Sequence, residues 1–167
     1  MKRGKKNMRQ PRLPAFFSLI VALGSVALMS PPNATAEPER PHNGATYLTT
    51  VTDSSGNFIT RTVLTLHADH TMSVVAADQG GPTSFFTSQL GSWKPDGKGG
   101  VVAKTLDFDY PPNADVVRID YTITFDLDRD RATGTETLTA FPLQGNPLDA
   151  GGTVLGTFTF TGELVKP

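Results

Sequence analysis

The sequence predicts an all-β domain of about eight antiparallel strands in an up-and-down meander, closed into a barrel, with a two-sheet β-sandwich as the alternative. Three observations lead there. Apolar and polar side chains alternate with a period of two over long runs, and turn-forming clusters separate runs of 6–12 residues. Beyond residue 36, no stretch sustains a helical repeat.

Residues 37–44 (Glu-Pro-Glu-Arg-Pro-His-Asn-Gly) are polar and proline-rich and read as a flexible lead-in to a single domain over 45–167. Runs rich in Thr, Val, Ile, Phe and Tyr at 45–52, 57–67, 70–77 and 85–94 supply the first four strands. In the fifth, Gly99 to Tyr110, the parity of Val102, Leu106, Phe108 and Tyr110 predicts one apolar face, opposite Thr105, Asp107 and Asp109. The sixth shows the alternation best. Val117, Ile119, Tyr121, Ile123, Phe125 and Leu127 interleave with Arg118, Asp120, Thr122, Thr124 and Asp126, a segregation that a helix could not make. Ala132 to Phe141 is threonine-heavy, and its faces are less distinct. In the last run, Val154 to Leu164, Phe158, Phe160 and Leu164 share a side with Gly156 and Gly162, where a barrel bends or strands approach closely.

The connections are mostly short. Asp53-Ser54-Ser55-Gly56, Ala68-Asp69, Pro95-Asp96-Gly97-Lys98 and Asp128-Arg129-Asp130 suit hairpins between antiparallel neighbours, and two longer links fall at 78–84 and 142–152. Closure of such a meander removes the exposed edges, which favours the barrel over the sandwich.

The first 36 residues have the three parts of a cleavable export signal. Lys2, Arg3, Lys5, Lys6, Arg9 and Arg12 precede an apolar stretch from Phe16 to Met29, and Ala34-Thr35-Ala36 ends it with a small-x-small pattern. Fourteen apolar residues would rise about 21 Å as a helix, short of a bilayer core of about 30 Å. A Sec-type signal, cleavage after Ala36 and a secreted or periplasmic location are therefore expected, with no membrane attachment afterwards. The remaining 131 residues carry nine basic and sixteen acidic side chains, a formal net charge of −7, which argues against nucleic acid as a partner. The chain has no cysteine, so the domain must be held by its core without disulfides.

The motifs for chemistry are few. His67-Ala68-Asp69-His70 offers two imidazoles and a carboxylate, but at a hairpin tip with no third strong ligand nearby in sequence. Asp126-Leu127-Asp128-Arg129-Asp130 begins like a calcium loop. However, position six is Arg131 and position twelve is Thr137, where an EF-hand needs Gly and Glu. There is no Gly-x-Ser-x-Gly elbow and no strand–glycine loop–helix phosphate site, so no catalytic residue, metal or cofactor is assigned. Asp107, Asp109 and Asp120 lie opposite the apolar faces and are expected at the surface.

Phe108, Tyr110, Tyr121, Phe125, Phe158 and Phe160 share the inferred inward faces of three strands. They are expected to pack the core or, with the two Tyr hydroxyls as orienting groups, to line a site for a small hydrophobic ligand. Trp93 is expected to plug a barrel end or flank a mouth. At Leu90-Gly91-Ser92-Trp93-Lys94, set among eight meandering strands, the chain resembles the calycin barrels, the lipocalin and avidin group. In lipocalins the Gly-x-Trp lies on the first strand, whereas here it falls mid-chain. Leu64 to Asp69 and Leu155 to Gly162 are similar to segments of small exported bacterial proteins of unassigned function. The calycin resemblance implies an open barrel end that holds a small hydrophobic molecule. Three functions follow as expectations: a lumenal ligand binder, a cyclase or isomerase using lumenal Tyr and Asp groups, or a pocketless interaction module.

Overall fold

The computed structural model describes residues 44–80 and 85–167. The export signal and all of the lead-in but Gly44 lie outside them. The described chain forms eight strands: β1 (Ala45–Thr52), β2 (Phe58–Leu66), β3 (Thr71–Ala76), β4 (Gln89–Pro95), β5 (Val101–Phe108), β6 (Asp115–Phe125), β7 (Arg131–Pro142) and β8 (Thr153–Leu164). Each pairs antiparallel with the next, and β1 pairs with β8 from Tyr47↔Leu164 to Thr52↔Thr159, so the barrel is closed. The sandwich alternative is thereby excluded.

A meander sends successive connections to alternate ends. Tight links at 67–70, 96–100 and 126–130 gather at one end. The other end carries the hairpin at 53–57 and the longer links at 77–88, 109–114 and 143–152. Side-chain carboxylates shape the tight turns. Asp53 Oδ1 accepts from the backbone N–H groups of Ser55 and Asn57, and Asp69 Oδ1 from that of Thr71. Asp96 Oδ1 does the same for Lys98 and Gly100, and Asp126 Oδ1 for Arg131. This local bonding is the reason Asp recurs at turns.

The interior follows from side-chain parity. Tyr47, Val51, Leu64, Leu66, Met72, Val74, Val101, Val117, Ile119, Ile123 and Phe160 are buried in one cluster. Thr49 and Thr62 are buried among them and satisfy each other, Oγ1 to Oγ1 at 2.6 Å. On the outside, Thr52–Thr159, Thr124–Thr133 and Thr137–Thr157 form cross-strand hydroxyl pairs at 2.8–3.0 Å, which accounts for the threonine-rich exterior.

Two expectations about faces are corrected. In β5 the buried row is Val101, Ala103, Thr105 and Asp107, so Phe108 points outward at 52% exposure. Leu106 and Phe108 suggested the opposite parity, but that parity would also have buried Lys104, whose ammonium pairs instead with Asp120 outside. In β6 the alternation holds through Phe125 and stops there. Leu127 lies in the hairpin and is 93% exposed.

A register shift at Leu138/Thr139 in β7 accompanies a small second core on the outer wall. There Val116, Thr139 and Phe141 are buried, with the Arg118 guanidinium over the Phe141 ring at 5.1 Å. Arg118 also donates to the carbonyls of Pro147 and Asp149, which fastens the 143–152 link across the wall.

At Gly134, an inward position of β7, an added Cβ would lie 2.2 Å from the Thr122 carbonyl oxygen and 2.6 Å from Phe160 Cζ. A side chain at this bend would displace both strand and ring. Gly134→Ala is expected to lower stability by about 1–3 kcal/mol in urea unfolding. An unchanged midpoint would show that the bend relaxes freely.

Candidate functional site in the barrel lumen

The two ends of the lumen differ in chemistry. At the tight-turn end, Trp93 is buried, its Nε1 donates to the His67 carbonyl at 3.0 Å, and its ring stacks on His70 at 4.5 Å. Tyr47 donates its hydroxyl proton to the Arg129 carbonyl and packs against Phe125 at 5.8 Å, while Arg129 lies over the Phe125 ring. Trp93 and Phe125 are therefore part of a plug. The His67–His70 segment closes the hairpin: the His67 N–H donates to Thr71 O, and the His70 N–H to His67 O.

Toward the long-link end the inward rows combine buried Val51, Val117 and Asp107 with half-buried positions on β7 and β8. Along β8, Phe160 is buried and Phe158 is half-buried. On β7, Glu136, Leu138 and Ala140 are all half-buried. Glu136 sits opposite Tyr121 on β6 and Phe158 on β8, so its carboxyl enters the lumen beside the buried Tyr121 hydroxyl. Tyr121 donates to Gln89 Oε1 at 2.6 Å, and Thr105 donates to the same oxygen at 3.0 Å. Asp107, two residues beyond Thr105 on the same face, is buried, and its Oδ1 has no hydrogen-bond partner among the described residues.

Proton placement follows from this geometry. Tyr121 also shares a side-chain hydrogen bond with Glu136, which raises the phenol and lowers the carboxyl. Burial pushes the Glu136 carboxyl up to about 7, outweighing the lowering effect of the bond with Tyr121. Burial also raises Asp107 to about 7, and the neighbouring Asp109 carboxylate adds to the effect. The Tyr121 phenol is held well above its ordinary value, first by burial and then by the Glu136 charge, with a smaller contribution from Asp107. Two carboxyls that exchange protons near neutral pH thus flank one phenol.

Of the aromatic residues singled out in the sequence, Tyr121, Phe158 and Phe160 come together in the lumen, with the ring centroids of Tyr121 and Phe160 6.2 Å apart. Trp93 and Phe125 lie at the plug. Phe108 and Tyr110 do not join them; both are about half exposed. Sequence reasoning missed Asp107, Glu136, Gln89 and Thr105. The parity Ala132, Gly134, Glu136, Leu138, Ala140 was the available signal for Glu136, since every other member is small or apolar. A concavity of about 430 Å³ lies outside the barrel over β4–β6 beside the Lys104–Asp120 ion pair. No family model, curated protein or solved structure matches the chain, so the barrel geometry is what supports the calycin resemblance.

Both lumenal carboxyls keep their protons in the folded chain at a pH where an unfolded carboxyl, titrating near 4, has lost them. The folded state therefore binds more protons between about pH 4 and 7, and these groups lower stability as pH rises through that window. The wild type is expected to melt at lower temperature at pH 8 than at pH 5.5, and the variant Asp107→Asn/Glu136→Gln should flatten the difference. An identical pH slope in the two proteins would contradict the assignment.

Proposed function

We propose that the open end of the lumen takes up a small, largely apolar molecule and that Asp107 and Glu136 exchange protons with it, an isomerase- or cyclase-type activity in an exported barrel. The observation that supports this most is the unpartnered Asp107 oxygen facing inward near a Tyr121–Glu136 pair. The free lone pair suits Asp107 to remove a proton from carbon. Glu136, raised to about 7 by burial, suits the return of a proton at a second carbon as the double bond moves. No atom is gained or lost in such a step, and it needs no cofactor. Half-buried Phe158, Leu138 and Ala140 supply apolar lining, which also favours a second reading, that of a carrier without chemistry.

Two probes separate these readings. 5-Nitrobenzisoxazole reports a buried base, which removes its C–H proton as the N–O bond breaks to give a coloured phenolate. Saturable turnover is expected, rising with pH through an inflection near 7 and falling roughly 100-fold in Asp107→Asn. Turnover equal to that of free acetate, or unchanged in both Asp107→Asn and Glu136→Gln, would overturn the enzymatic reading. Binding of N-phenyl-1-naphthylamine would then leave the carrier, and its failure to bind would remove both.

A further inference from the structure

A different pocket lies at the long-link end, outside the lumen. Beyond the β4–β5 pair, the chain leading into β4 continues along the start of the β5–β6 link. Phe86 bridges Asp109, Tyr110 N–H donates to Phe85 O at 2.7 Å, and Thr87 N–H donates to Phe108 O at 3.0 Å. These bonds bring Phe85 and Phe86 against Asp109, Tyr110 and the Pro111–Pro112 pair, around a concavity of about 400 Å³. Phe85 and Tyr110 are each about half exposed, so three aromatic rings border an accessible space.

The charge there has one sign. Asp109 is the only carboxylate among the described residues lining the space; its charge acts on Asp107, and that of Asp115 acts on it. Burial and then Asp115 raise Asp109, against a lowering hydrogen bond from Asn113. None of the ion pairs among the described residues involves these three carboxylates. Arg118, on β6 near Asp115, is committed to Asp120 and to the carbonyls of Pro147 and Asp149. Aromatic rings beside an uncompensated carboxylate meet both requirements of a poorly hydrated cation, which takes its attraction from ring faces and its counter-charge from the acid.

We propose that this pocket binds an organic cation, a quaternary or protonated amine, through Phe85, Phe86, Tyr110 and Asp109. It is a second site, outside the lumen. Sodium and other small inorganic cations are strongly hydrated and gain little from the rings, so discrimination in favour of the alkylated ammonium is the signature.

Choline and its uncharged isostere 3,3-dimethyl-1-butanol test this by NMR titration of the full domain. Choline is expected to bind saturably in the millimolar range, shifting resonances of residues 85–86 and 109–113. The isostere should bind at least tenfold more weakly. Asp109→Asn and, separately, Tyr110→Leu should each weaken choline about tenfold, with Tyr110→Leu leaving the 5-nitrobenzisoxazole turnover in place. Equal binding of the isostere, displacement of choline by an equal concentration of sodium ion, or indifference to both substitutions would overturn the proposal.

Discussion

The pairing of β1 with β8 is the constraint on which the other features depend. Without it the meander would expose two strand edges and its inner face would be an open surface. With it, every inward side chain on eight strands must share one enclosed volume, which in a barrel of this size is just wide enough for side chains to fill. Closure forces strong bending, and the inward glycines answer that demand. At Gly91 an added Cβ would fall 1.9 Å from the Lys104 carbonyl oxygen, and Gly134 is confined by Thr122 and Phe160. Closure also makes burial of a polar group expensive, so each inward hydroxyl or amide needs an inward partner. Thr49 finds Thr62, and Thr105 and Tyr121 both find Gln89.

Asp107 departs from that rule, because one carboxylate oxygen is buried and unmatched. Glu136 departs less, having Tyr121 as a partner, but it too rises to about 7 because the lumen solvates charge poorly. Two such groups lower stability at neutral pH, where a pair of Asn and Gln residues of the same shape would not. Structures that keep a costly polar group beside a phenol and a half-exposed apolar wall are those in which a ligand can supply the missing interaction.

Much of the fold is legible in the sequence, because period-two alternation and turn chemistry are local signals. The eight strands, their order and four tight links can be read from residues such as Val117 to Phe125 and from the turn aspartates. The site is less legible, because parity depends on which face the barrel encloses. In β5, Leu106 and Phe108 look like core residues, yet they lie on the outside while Thr105 and Asp107 are enclosed. In β7 the threonines suit either face, and Glu136 reads as solvated until its register with Tyr121 and Phe158 is known. The 143–152 link is recognisable as a loop, but its attachment through Arg118 over Phe141 is long-range and leaves no local pattern.

The difference between the two ends decides where function can sit. Tight hairpins leave little chain to cover an opening, so the end at 67–70, 96–100 and 126–130 is sealed by side chains: Trp93 on His70, and Tyr47 against Phe125 beneath Arg129. The opposite end carries the long links, and there the inward row of β8 passes from buried Phe160 to half-buried Phe158. A carboxyl enclosed at the sealed end could exchange protons with solvent only by unfolding its surroundings. Glu136 is half-buried, and Asp107 is one strand residue from the end of β5. In the proposed acid–base role, burial raises both carboxyls, and their nearness to the long-link end gives the shorter route for a proton to solvent.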